Sequence, residues 1–322
     1  THITHTSPIV VDTETIYFDL GNYNLLVDTS TDPDNTIRHV VSAINGGKLR
    51  LNGTGTGTFN VKSTSYSIGV RVIGAYSEVT VDNVDVTRAG ATGVYMYGSG
   101  PNLDGGKVTV NGHINAGNTA ISVNAKNGII TVNGDITAAH TGVTTSTNAG
   151  TSVTVNGNIN VLGSEPQHVG GYGIMASGLT SVKVTGNVTS QGTDYVGVYA
   201  YGGGIEVGGN VVSSGTGAKA YPNSSYGKGN VTIDGSLSAG TPFVVVGNIV
   251  KTPDQITEPT TKPGLLTYTD GASNVWIGSV GSIATTAPTI PQSFNATAGD
   301  GQIALNWAAP SSNGGSAITK YQ

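Results

Sequence analysis

"SVTVNGNINV", residues 152–161, alternates through Val153, Thr154 and Val155, turns at Asn156-Gly157, and alternates again through Ile159, Asn160 and Val161. Side chains along a strand point to opposite sides with period two. Val153, Val155, Ile159 and Val161 therefore share a buried side, while Thr154, Asn158 and Asn160 face solvent. Asn-Gly between two alternating arms is also the strongest short hairpin signal, so a sandwich of hairpins competes with any other arrangement. Against it, the arms are very short and a third alternating stretch has no partner within its own segment.

Near-copies of this stretch recur. "KLRLNGTG" begins at 48, "EVTVDNVDV" at 78, "KVTVNGHINA" at 107, "IITVNGDITA" at 129, "SVKVTGNVTS" at 181, "GIEVGGNVVS" at 204 and "NVTIDGSLSA" at 230. Spacings of about 22 to 30 residues mark a repeat architecture. Each copy is accompanied by a further alternating segment, such as "GVYMYGSG" at 93, "AISVNAKNG" at 120 or "VGVYAYGGG" at 196. Three short strands per repeat make a coil, and stacked coils make a parallel β-helix. In that fold the Asn-Gly pair is expected at a sharp corner, with a residue at φ > 0 bending the chain into the next face.

Composition narrows the function classes. With 49 glycines and 10% charged residues the chain resembles low-complexity sequence, but disorder does not require strictly alternating valines. A net charge of -5 with 14 Lys and Arg leaves no basic footprint for nucleic acid. No apolar run approaches the roughly 20 residues of a membrane span. Zero cysteines exclude disulfides and thiolate metal sites. The calcium-binding nonapeptide of some solenoids is absent, and Asp82, Asp85 and Arg88 in "TVDNVDVTR" read as a solvated surface group rather than a metal site. No metal or cofactor is expected. The six histidines are scattered without ligand spacing, and His2 and His5 read as incidental.

At the N-terminal end, Asp19, Leu20 and Gly21 lead toward the Gly46–Gly53 strand, and "GLLTYTDGASNVWIGSV" occupies 264–280. These stretches resemble the first and last coils of Gram-positive surface β-helix proteins of the pectin-lyase-like type. The resemblance implies a right-handed helix in an extracellular, cell-wall or cell-surface protein. It covers most of residues 10 to 282, and the solenoid is expected at 1–282, with cap and first coil at 1–45, last coil and cap at 240–282, and a linker at 283–290.

Residues 291–322 resemble the start of a fibronectin type III domain: Pro291 at the entry, Ala296 to Gly301 before a strand, Trp307 as core tryptophan, Pro310, "NGG" at 313–315, and Tyr321. That sandwich takes about 100 residues, so this segment is expected to be an incomplete module. The fold class expected overall is all-β, a right-handed parallel β-helix followed by a truncated fibronectin type III-like sandwich.

Two constellations carry chemistry. Alternation turns Val94 and Met96 inward and Tyr95 and Tyr97 outward. Likewise Val196, Val198 and Ala200 point inward, and Tyr199 and Tyr201 outward. Four coils, roughly 19 Å, separate the two pairs, with Ser122, Asn124, Thr144, Ser146, Tyr172 and Met175 between them. Flat phenol rings with neutral polar tips, beside Asn, Ser and Thr, suit a polysaccharide or a host or cell-surface glycan. The competing reading makes the tyrosines mere strand formers. For catalysis, a carboxylate pair about 5 to 9 Å apart would be needed. Asp104, Glu165 and Asp194, with His168 as acid or base, are the candidates, all in longer loops. Aspartate in glycine-rich turns is more often turn chemistry. The chain reads as a monomeric adhesin-like or structural stalk that binds glycans. A polysaccharide lyase or glycoside hydrolase is the alternative, and a plain spacer the third.

Overall fold

The computed structural model describes residues 2–31, 39–65, 67–99, 103–146, 150–164, 170–281, 290–299 and 302–308. The chain divides into two compact units, Thr1–Val280 and Gly281–Gln322. The described residues contain strands and no helix.

Unit one is a parallel β-solenoid of about nine turns. Each turn contributes one strand to each of three faces. The coil built on the opening stretch has Ser152–Val155 on the first face, Ile159–Val161 on the second and Tyr172–Ser177 on the third. Residues stack on their counterparts one coil away. Val153 lies between Ile130 and Val182, and Ile159 between Ile136 and Val188. All these pairings are parallel, so the hairpin arrangement does not occur there. The core is the inward column of each face. Val153, Val155, Ile159 and Val161 are all at or below 1% exposure, as alternation requires.

The Asn-Gly corner differs from the expected one. Neither Asn156 nor Gly157 has positive φ, nor do Asn133, Gly134, Asn111 or Gly112. Of the Asn-Gly corners between the first two faces only Asn52-Gly53 has it, at Gly53 (φ +134); elsewhere positive φ falls mostly at the corner leaving the third face, as at Asn45, Gly74, Asn127, Gly178 and Gly202, and at the corner entering it, at Gly90, Gly163, Gly170 and Gly192. Between the first two faces glycine is required by crowding. A Cβ on Gly157 would sit 2.5 Å from the Gly134 carbonyl oxygen and 2.6 Å from Asp135 Oδ1, and one on Gly186 would sit 2.6 Å from the Gly157 oxygen. The glycines form a column in which each coil's backbone rests on the one before.

Beside that column runs a hydrogen-bonded stack of side chains. Asp135 Oδ1 accepts from Asn158 N–H at 2.7 Å, Asn158 Oδ1 from Asn187 N–H at 2.9 Å, Asn187 Oδ1 from Asn210 N–H at 2.8 Å, and Asn210 Oδ1 from Ser236 N–H at 2.8 Å. The backbone reciprocates, with Ile136 N–H donating to Asn158 O and Ile159 N–H to Asn187 O, both at 2.8 Å. This corner varies in the first coils, at 19–24, 52–58 and 82, and then keeps three residues through five successive coils, at 111–113, 133–135, 156–158, 185–187 and 208–210. The other two corners vary, from 117–118 to 162–171 and from 202–203 to 98–106.

The two ends are built differently. Ile3–His5, Ile9–Asp12 and Thr15–Phe18 form a coil whose strands each pair on one side only among the described residues. At the far end Ile249–Lys251 folds back antiparallel on Val244–Val246, and Leu266–Thr269 antiparallel on Asn274–Val280. Tyr268 is fully buried there, edge-on to Phe243, and its hydroxyl donates to the Pro253 carbonyl at 2.7 Å. Trp276 Nε1 donates to Thr261 Oγ1, and the Lys262 ammonium lies 5.4 Å from the Trp276 ring centroid. Among the described residues unit two has the antiparallel pair Gln292–Gly299 with Gln302–Ala308, with the Phe294 and Trp307 rings stacked at 6.4 Å.

Candidate functional site

The third face runs, coil by coil, through Ile68–Ile73, Thr92–Tyr97, Thr119–Asn124, Thr141–Thr145, Tyr172–Ser177, Val196–Tyr201 and Thr216–Tyr221. Its inward positions Val94, Met96, Val198 and Ala200 are fully buried, which turns the alternate residues outward. Small residues keep the strand flat against the core. A Cβ on Gly173 would lie 2.6 Å from Val188 Cγ1, and one on Gly197 would lie 2.6 Å from the Gly217 oxygen.

Parallel register then sorts the outward side chains into rows along the solenoid axis. One row reads Arg71, Tyr95, Ser122, Thr144, Met175, Tyr199, Lys219. A second pairs Tyr97 with Asn124 and, further along, Ser177 with Tyr201 and Tyr221. Tyr95 and Tyr199 are four strand spacings apart, about 19 Å. The tyrosine face expected from alternation is thus a continuous surface.

At one end the Tyr95 and Tyr97 rings are nearly parallel, 15° apart at 6.4 Å. At the other, Tyr199 is the centre of a cluster: Tyr172 at 5.9 Å, Tyr201 at 6.3 Å and Tyr221 edge-on at 5.7 Å. Between the two platforms lies a hollow of about 520 Å³ lined by Tyr95, Asn124, Thr144, Ser146, Met175 and Tyr201, among others. Ser146 Oγ donates to Asn124 Oδ1 at 2.8 Å across its floor. Burial, then the neighbouring phenols of Tyr221, Tyr172 and Tyr201, push the Tyr199 hydroxyl up to about 12. Burial likewise raises Tyr95. These phenols stay neutral, serving as hydrogen-bonding tips on apolar plates rather than as acids or bases near neutrality.

Tyr221 was not among the residues singled out by sequence. Its signal is "TGAKAY" at 216–221, which repeats "VGVYAY" one coil on.

The carboxylates are dispersed. Asp104 stands on the corner leaving the third face, where its Oδ1 accepts from Asn127 Nδ2 at 2.8 Å. Asp194 stands, exposed, on the corner entering that face, four coils along. A third-face strand of about 20 Å separates the two corners, so Asp104 and Asp194 are not brought together. Glu165 and His168 lie outside the described residues. Asp82 and Asp85 are engaged structurally. Asp82 accepts from Asn111 Nδ2 at 3.0 Å and from Phe59 N–H at 2.6 Å, while Asp85 meets His113 Nε2 at 3.1 Å and accepts from Asn115 Nδ2 at 2.7 Å. His113, at the corner before the second face, is therefore part of a surface hydrogen-bond network with Asp85. Among the described residues no group of three His, Asp or Glu is placed to hold a metal ion, and no helix is long and apolar enough to cross a membrane.

No family model, curated protein or solved structure matches the chain.

Proposed function

We propose that the chain is part of an extracellular, cell-surface or secreted rod whose third face holds a polysaccharide chain laid along the solenoid axis. The observation that carries this reading is the hollow of about 520 Å³ between two tyrosine platforms, floored by Asn124, Thr144, Ser146 and Met175. Sugar rings present apolar faces and equatorial hydroxyls. Phenol plates and neutral amide and hydroxyl groups complement both. The resemblance of residues 19–53 and 264–280 to Gram-positive surface β-helices of the pectin-lyase-like type supports the location. The antiparallel pair at 292–308 is compatible with the opening of a fibronectin type III domain, a common spacer in such rods.

The test is affinity electrophoresis of the full chain in gels cast with plant, fungal and bacterial polysaccharides, with a parallel assay for new chain ends. Retention without cleavage, lost in Tyr199→Ala/Tyr201→Ala, is the expected result. New chain ends would instead make the protein a lyase or hydrolase, and the search would move to Asp104, Glu165, Asp194 and His168. Retention indifferent to both tyrosines would remove the site.

A further inference from the structure

The charges of the third face are segregated. From His39–Ile44 to Thr216–Tyr221 its strands contain no Asp or Glu, although the chain as a whole carries a net charge of -5. The strand acids lie elsewhere in these coils: Glu78 and Glu206 on the first face, Asp28 and Asp85 on the second. The only Lys and Arg on these third-face strands are Arg71 and Lys219, and both fall in the same outward row as Tyr95 and Tyr199. Register puts one at each end of the tyrosine stretch, six strand spacings or about 29 Å apart.

Among the described residues neither cation has an anionic partner. The ion pairs there engage Lys48, Arg50, Lys62, His113 and Lys183, and leave out Arg71 and Lys219. Arg71 is half-buried, and its Nε donates to Ser42 Oγ, at 3.2 Å. A partly desolvated guanidinium without a counter-ion carries an unrecovered hydration cost, which an incoming carboxylate or sulfate offsets through charge-assisted hydrogen bonds. The rim carboxylates Asp104 and Asp194 stand on opposite corners, where they repel an anionic chain from the edges and leave the row from Arg71 to Lys219 as its track.

We propose that the ligand of this face is an acidic polysaccharide, whose anionic groups pair with Arg71 at one end of the tyrosine row and Lys219 at the other. The proposal rests on the glycan-binding reading above and adds the ligand's charge. A neutral glycan would use the tyrosines and leave both cations idle. A nucleic acid would meet only two cations over six coils, too sparse for a backbone that carries a phosphate about every 3.4 Å per strand.

The experiment compares three probes of one backbone: dextran, carboxymethyl-dextran and dextran sulfate, each against the full chain in affinity gels, with duplex DNA as a second polyanion. Expected are stronger retention by one or both anionic dextrans than by dextran, and weakening as salt rises through the range in which the Debye length falls below about 8 Å. Lys219→Gln should weaken retention about fivefold without changing retention by dextran. The two anionic forms separate carboxylate from sulfate as the recognised group. Arg71→Gln should act in the same direction, and Lys219→Gln, which removes no hydrogen bond to a buried side chain such as that of Arg71 to Ser42, keeps the test valid if Arg71→Gln fails to fold. Equal retention by dextran, or indifference to Lys219→Gln, overturns the charge inference while leaving the tyrosine face intact. Duplex DNA retained as well as the anionic dextrans, with the same sensitivity to Lys219→Gln, overturns it in favour of generic polyanion binding. Retention by none of the dextrans overturns it together with the glycan reading.

Discussion

Gly157→Ala separates two reasons for a glycine. In the corner column a methyl at 157 would stand 2.5 Å from the Gly134 carbonyl oxygen and 2.6 Å from Asp135 Oδ1, both well inside contact distance. Relief requires the two coils to part by several tenths of an ångström at the point where they are held closest. The bonds that suffer are Asn158 N–H to Asp135 Oδ1 at 2.7 Å and Ile136 N–H to Asn158 O at 2.8 Å. Overpacking of a tight site costs about 1–3 kcal/mol, and weakening two hydrogen bonds adds about 1 kcal/mol each. Together these give about 3–5 kcal/mol. Gly264 is the control. It has φ +77, and a Cβ there would meet nothing within 4 Å, so alanine faces only the left-handed backbone penalty of about 1–2 kcal/mol. The assay is urea unfolding followed by circular dichroism and by tryptophan fluorescence, since a solenoid of this length need not unfold in one step. Hydrogen exchange at Asn158 and Ile159 would locate the damage. A Gly157→Ala protein as stable as wild type, or no less stable than Gly264→Ala, would refute the claim that coil contact, rather than φ, selects glycine at this corner.

Two further outcomes follow from the same stacking. Asn187→Ala removes the acceptor of Asn210 N–H and the donor to Asn158 Oδ1. Because the corner is exposed and water can substitute, the expected loss is about 1 kcal/mol, read as a lower urea midpoint with unchanged slope. Tyr268 is held by burial, then by the charge of Asp254, at about 12 against an ordinary value of 10.0. A raised folded value means that the folded state favours the neutral phenol. Stability is therefore constant below pH 10.0 and falls as pH rises to about 12. Tyr268→Phe should flatten that part of an alkaline unfolding titration, and an unchanged profile would contradict the burial of Tyr268 as the cause.

The alternation of Val153, Val155, Ile159 and Val161 was legible because burial on one side of a strand leaves a period-two trace. The spacing of the copies then made the strands parallel. The outward tyrosines followed from the same rule, residue by residue. The corners were not legible in this way. Asn-Gly has two physical meanings, positive φ and absence of a Cβ, and only the placement of the neighbouring coil distinguishes them. The Asp135–Asn158–Asn187–Asn210 stack escaped for a related reason. Its partners are about 23 to 29 residues apart and form a motif only once the coils are in register. Tyr221 was hidden because Lys219 breaks the likeness of its strand to "VGVYAY" at the middle position. The C-terminal closure rests on Tyr268, Pro253 and Phe243, which no repeat predicts, since an end is where a repeat stops.

The corner of fixed length has a consequence for how such a chain can change. From 111–113 to 208–210 the turn between the first and second faces is held to three residues, where a glycine column and a stack of Asp and Asn side chains tie each coil to the next. Along the tyrosine row the turns that vary in length are the ones that enter and leave the third face, and they flank that row. Insertions in the turns that enter or leave the third face can therefore reshape the edges of the groove without altering the seam that carries the stack. Selectivity and stability are assigned to different edges of the same triangle, so a ligand preference can drift while the rod beneath it keeps its pitch.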